Sequence, residues 1–279
     1  MNVVHLQVDS GIAQITLDHP ANNRINFQMR QELVEAIEQV ATSDARVLVI
    51  KAAGENFSLG GDARDWPGVS VAELRPKIEV FAKAVDRLQE LEIPTIASVQ
   101  GGCMGGGFEL ALGCDLIVAG RSARFAFPES LAGILTLQGG VYNLAERIGR
   151  TKAIELAFLS EPVSAEQMAQ WNVINRVVED HALAQETEAL AHRLASGPAM
   201  AYAATKDLLR IWQREGIHGA RKALYDLSMP LFETDDVQQA LRGAADAMST
   251  GKPFPKAVFS AGPKMQPVAP SKNQEQPRS

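Results

Sequence analysis

The chain has 279 residues, 46% of them hydrophobic, enough for a large core as one domain or one domain plus an extension. Its formal net charge is −6 and it holds no Lys/Arg run, which argues against a nucleic-acid-binding face. Two cysteines, Cys103 and Cys114, and five scattered histidines supply neither a disulfide framework nor a ligand-spaced metal set.

Val3 to Val8 and Ile12 to Leu17 alternate apolar and polar residues around Asp9-Ser10-Gly11, the pattern of a β-hairpin. No signal-peptide pattern precedes them and no apolar run reaches membrane-spanning length, so a cytoplasmic protein that neither spans nor binds a membrane is expected. Asn26 is placed to cap a helix whose apolar face is Met29, Leu33, Ile37 and Val40. Val47 to Ile50 reads as a buried strand, followed by the glycine-bearing loop 53–62. A helix over 71–91 follows, with Leu74, Ile78, Phe81, Val85 and Leu88 on one face. Thr95 to Val99 then repeats the strand-to-glycine theme.

The stretch 101–112 is the densest signal in the chain. A strand runs into Gly101-Gly102-Cys103-Met104-Gly105-Gly106-Gly107, and Phe108-Glu109-Leu110-Ala111-Leu112 favours a helix. Glycines let a backbone approach a ligand closely, and the first N–H groups of a helix have no internal partner. Such a place can hold an anion or a charge that develops during a reaction, with Glu109 within reach. Asp115 to Ala119 and Ala123 to Phe127 read as further strands, and Gly133 to Gly140 as a loop. Helices follow over 142–148 and 152–159, Ser164 and Gln167 have capping-box spacing, and Asn175 to Val178 reads as a short strand. From His181 the chain is almost wholly helical, interrupted at Pro198, Gly216 to Gly219 and Pro230. The whole is α/β with parallel pairing, built from loosely repeated strand–strand–helix units. The expected organisation is a core over 1–195, a helical region over 196–261 and a disordered Pro-, Gln- and Ser-rich tail over 262–279.

In such folds sites gather where strands end and helices begin, so the two glycine loops could face one cleft. The sequence holds no G-x-x-x-x-G-K-[ST] and no G-x-S-x-G, and its glycines do not fit a dinucleotide fingerprint. Two acids near strand ends, Glu109 and Glu129, remain. One backbone N–H from each loop could hold a polarised carbonyl oxygen while two carboxylates move protons beside it. That set suits enolate chemistry at a thioester.

Phe57-Ser58-Leu59-Gly60-Gly61-Asp62, Gly105-Gly106-Gly107-Phe108-Glu109-Leu110-Ala111, Cys114-Asp115-Leu116-Ile117-Val118-Ala119 and Phe127-Pro128-Glu129 follow one another in order. In this succession the chain resembles the enoyl-CoA hydratase/isomerase (crotonase) family over residues 1–260. The resemblance implies a crotonase-like spiral of ββα units with a C-terminal helical trimerisation region. It also implies an acyl-CoA thioester substrate and a homotrimer or a hexamer built as a dimer of trimers. No cofactor is implied, coenzyme A entering only as part of the substrate. By the same resemblance Gly61 and Gly106 match the oxyanion-hole donors. Glu109 matches the acid that activates water, and Glu129 the acid that delivers a proton to the α-carbon. Leu59, Gly60, Gly61 and Asp62 match the loop that wraps adenine and pantetheine. Arg24 and Lys252 lie where relatives place cations near the CoA phosphates. Trp66 falls in the variable stretch that lines the acyl pocket, or packs in the core.

The chain also departs from the family pattern. Thr136-Leu137 stand where Pro-Gly is usual, and Val141-Tyr142-Asn143 where Thr-Gln-Arg is usual. Val237-Gln238-Gln239-Ala240 replace a commoner Glu-Gly. Leu137 keeps its N–H, but its side chain can reshape the pocket. Retention of both acids favours hydration of a 2-enoyl-CoA within fatty acid metabolism. Double-bond isomerisation or another crotonase-fold reaction is the alternative, and a non-catalytic acyl-CoA or RNA binder the third reading.

Overall fold

A computed structural model describes residues 1–20, 22–255 and 258–259. The expected tail over 262–279 lies outside the described residues. The chain divides into two compact units, Met1–Ser196 and Gly197–Ser279.

The first unit opens with the antiparallel hairpin β1 (Val4–Asp9) and β2 (Ile12–Leu17), then helix α1 (Phe27–Thr42). The Asn26 side chain accepts the Met29 N–H at 2.8 Å and so caps α1, whose buried face is Met29, Leu33, Ala36, Ile37 and Val40. β3 (Val47–Ala52) is followed by α2 (Val71–Glu90), which Ser70 and Glu73 open with a reciprocal capping box. On α2 only Phe81, Ala84, Val85 and Leu88 are fully buried; Leu74 and Ile78 are half-buried.

The glycine stretch holds one more element than the sequence suggests. After β4 (Thr95–Val99) comes a three-residue strand, β5 (Gly102–Met104), and α3 (Gly106–Leu112) starts two residues earlier than expected. Next come β6 (Leu116–Gly120), β7 (Arg124–Ala126), α4 (Gly140–Ile148), α5 (Arg150–Leu159), β8 (Val163–Ser164), α6 (Ala165–Gln170), β9 (Arg176–Val178) and α7 (Leu183–Ala195).

Six strands form one sheet in the order β1-β2-β3-β4-β6-β9, parallel from β2 onward. A second sheet has the order β5-β7-β8. The repeat is therefore spatial: each turn lays one strand in the large sheet, one in the small sheet, then a helix. β4-β5-α3 and β6-β7-α4 are complete turns. In the β3 turn the small-sheet strand is reduced to a single bridge between Ser58 and Cys103. This is the ββα spiral that the sequence resemblance implies. Its core is apolar and includes Ile15, Leu33, Leu48, Phe57, Phe108, Phe125 and Phe127, all essentially solvent-free.

The second unit is helical. α8 (Ala199–Ser228) breaks its helical geometry at Gly216, with φ 66° and ψ −166°, and α9 (Asp235–Thr250) begins at a Thr234 cap. No helix among the described residues is long and apolar enough to cross a membrane.

Candidate active site

The small sheet brings the two glycine loops together. Met104 N donates to Ser58 O at 2.9 Å and Ser58 N to Gly102 O at 3.1 Å, so the loop after β3 lies along β5. The loop is also tied to the chain before α1. Ile25 N donates to Gly60 O at 2.9 Å, and Asp62 N donates to Ile25 O at 3.2 Å. This parallel bridge uses the residues on either side of Gly61 and leaves the Gly61 N–H out of it. On the other loop, Gly106 is the first residue of α3, so its N–H has no carbonyl one turn back. Gly107 is required by closeness: a Cβ there would stand 2.8 Å from the Ser58 carbonyl oxygen.

Gly61 and Gly106 line one cavity, together with Glu109, Glu129, Trp66, Leu137, Gln138, Arg30 and Phe81. About 290 Å³ of space free of protein atoms lies among these residues, part of it open to solvent.

Glu109 is buried, 1% exposed, in the first turn of α3. Its Oε1 accepts the Gln138 N–H at 2.7 Å and the Gly140 N–H at 2.9 Å. The loop that departs from the family pattern therefore holds this carboxylate. Burial raises the Glu109 pKa; the amides of Gly140, Gln138 and Leu137 and the Arg30 charge pull it back. Gly140 must stay small, because a Cβ there would meet Glu109 Cγ at 2.8 Å.

Glu129 is the second residue of the short helical turn Pro128–Ala132 that follows β7. Its Oε1 packs over Gly105, which has φ 49° and where a Cβ would come within 2.5 Å of that oxygen. Its Oε2 is buried without a hydrogen-bond partner. Burial, and then the negative Glu109, push its pKa from 4.5 to about 7, opposed only by a backbone hydrogen bond. The two acids are thus held differently: burial raises both, and three amides and a cation oppose the rise at Glu109 where only a backbone hydrogen bond does at Glu129. A carboxyl whose folded pKa is raised loses stability as pH climbs from its unfolded value toward the folded one. Glu129→Gln is therefore expected to raise Tm above about pH 7 and to leave it unchanged below about pH 4.5, read by thermal melts across pH.

Of the other residues singled out in the sequence, Trp66 and Leu137 line the cavity, and Leu59, Gly60, Asp62 and Arg24 do not. Arg24 Nη1 donates to the Leu59 carbonyl at 3.1 Å and so braces the glycine loop. Asp62 is buried and turned inward: its Oδ1 accepts the Arg64 N–H at 3.2 Å, and its carboxylate pairs with the Arg64 guanidinium at 2.5 Å. That pair holds its pKa below the usual range. Lys252 lies in the second unit, exposed, just after α9.

The sequence reading missed Arg30 and Gln138. Arg30 is 2% exposed, its guanidinium 5.6 Å from the Phe27 ring, 5.9 Å from Trp66 and 6.0 Å from Phe81. It lies three residues before Leu33 and seven before Ile37, on the buried face of α1, a spacing visible in the sequence. Gln138 carried no comparable signal beyond its place among glycines.

These two glycine backbones and two acids line one cavity, and known proteins match the span that holds them. The family description "Enoyl-CoA hydratase/isomerase" fits residues 7–248. The chain belongs to the enoyl-CoA hydratase/isomerase family. The 1,2-epoxyphenylacetyl-CoA isomerase of Escherichia coli K12 is 36% identical over 204 residues, 71% of this chain and 78% of that one. The carnitinyl-CoA dehydratase of Salmonella heidelberg is 33% identical over 212 residues, 74% of this chain and 80% of that one. A crystal structure of enoyl-CoA hydratase from Mycobacterium smegmatis superposes with a TM-score of 0.82 at 26% identity, covering 90% of this chain and 97% of that one.

Proposed function

We propose that this family member is an enoyl-CoA hydratase, adding water across the 2,3-double bond of a 2-enoyl-CoA to give a 3-hydroxyacyl-CoA. The observation that carries the reading is one cavity lined by both acids and by the backbones of Gly61 and Gly106. The Glu109 carboxylate takes a proton from water, whose oxygen bonds to C3. The electron pair of the double bond moves toward the thioester, and the enolate oxygen forms against the Gly61 and Gly106 N–H groups. Glu129 in its acid form then gives its proton to the α-carbon. Each fixed N–H donor of this kind is worth about a hundred- to a thousand-fold in rate. The reaction needs no cofactor beyond the coenzyme A of the substrate itself.

Arg24, braced on Leu59, with Gly60 and Asp62 shaping the same loop, is assigned to the CoA moiety, as is Lys252. Exposed Leu209, Trp212, Tyr225, Met229 and Phe232 on the second unit support self-association into trimers or hexamers.

The test is the rate of loss of the conjugated enoyl-thioester absorbance of crotonyl-CoA across pH. Hydration uses protonated Glu129, so kcat/KM should fall as pH rises through about 7, and because the overall reaction takes up no proton, dehydration of 3-hydroxybutyryl-CoA should fall in parallel. A hydration rate that climbs through that range would overturn the assignment. Another crotonase-fold reaction such as double-bond isomerisation is the second reading, supported by Leu137 in place of the usual glycine; the 36% identical relative, a 1,2-epoxyphenylacetyl-CoA isomerase, likewise bears a name other than hydratase.

A further inference from the structure

Beyond the two acids, the cavity is rich in donors. Gln138 is 5% exposed, and its side-chain Nε2 is buried without a hydrogen-bond partner. Trp66 Nε1 is in the same condition. Both residues line the cavity, and so does Arg30, which brings a full positive charge on a buried side chain. The placement is close to the reacting centre. The Gln138 side-chain amide, through its Oε1, lies 3.7 Å from where a Cβ of Gly106 would stand, and the Trp66 ring, through Cζ2, 2.8 Å from the same point at Gly61.

A buried donor left without an acceptor costs about 1–3 kcal/mol, so a site retains such donors when a ligand completes them. The thioester oxygen does not complete these, because in the reading above it is already taken by the Gly61 and Gly106 N–H groups. Glu109 Oε1 is likewise occupied by backbone amides. A purely hydrocarbon acyl chain would bury Gln138 Nε2 and Trp66 Nε1 against methylene groups.

We propose that the acyl group this site accepts carries a second hydrogen-bond-accepting oxygen near the thioester, a carbonyl or carboxylate, held by Gln138 Nε2 and Trp66 Nε1. Gln138 and Trp66 are then specificity residues for the proposed acyl-CoA reaction, and the inference rests on that reading.

The test is calorimetric binding of saturated thioesters, which cannot be hydrated and so report recognition alone. Pentanoyl-CoA, 4-oxopentanoyl-CoA and glutaryl-CoA share a chain length and differ in the added oxygen. The ketone and the carboxylate should bind about tenfold tighter than pentanoyl-CoA. Gln138→Met and Trp66→Phe keep the side-chain bulk and remove the donors. Each should bring the ratio of oxygen-bearing to plain thioester close to one, whatever happens to absolute affinity. Equal binding of all three by the native protein would overturn the inference and leave the acyl-CoA reading standing. So would an oxygen preference that survives in both variants. Failure of every thioester to bind would overturn both.

Discussion

Glu109→Gln and Glu129→Gln are each expected to slow crotonyl-CoA hydration by about a hundred- to ten-thousand-fold, with most of the loss in kcat. The reason differs between them. At position 129 glutamine keeps the volume over Gly105 but has no proton to give the α-carbon. At position 109 an amide oxygen can still accept the Gln138 and Gly140 N–H groups, so the loop stays in place. What is lost is the negative charge that takes the proton from water. Two collapsed variants mark a reaction that needs an acid and a base on separate carboxyls. A dienolate isomerisation can run on one carboxyl that both removes and returns the proton. A single collapsed variant, with the other near native rate, would therefore favour isomerisation over hydration.

Gly101→Ala is expected to destabilise the first unit by about 3 kcal/mol or more, lowering Tm by roughly 6–12 °C. Gly101 has φ 56°, and a Cβ there would stand 2.1 Å from the Glu55 carbonyl oxygen and 2.9 Å from Asn56 Oδ1. Neither can yield cheaply. The first is backbone, and the second accepts the Gly102 N–H at 2.7 Å where β5 begins. Gly54→Ala separates the two contributions, since Gly54 has φ 80° but nothing within 4 Å of the added atom. It should cost only the left-handed backbone strain, about 1 kcal/mol. Equal losses of Tm in the two variants would show that the crowding at Gly101 is not felt.

The centre of the large sheet was legible because its strands are apolar runs with glycine punctuation. β3, read from Val47 to Ile50, is six residues in the structure and β4 (Thr95–Val99) five, both fully or mostly buried. In the small sheet only β7 was legible, within the extended Ala123 to Phe127. β5 and β8 are three and two residues, too short for periodicity to register, and β5 sits inside glycines whose composition speaks for a loop. Yet that sheet sets the two glycine loops side by side. In the site, Glu109 and Glu129 were readable as acids beside glycine turns, and Gly61 and Gly106 through resemblance. Arg30 was hidden by its own helix, since a charged residue next to an apolar face reads as its solvated edge. Gln138 was hidden because only the fold reveals that its backbone holds Glu109 while its side chain faces the cavity.

The most direct test of the hydratase account is to turn over crotonyl-CoA in water labelled with heavy oxygen and read the product by mass spectrometry and NMR. Hydration places the heavy oxygen on C3 of 3-hydroxybutyryl-CoA, and the account predicts that outcome, lost in both glutamate variants. Movement of the double bond with no heavy oxygen incorporated would contradict it and assign this cavity to isomerisation.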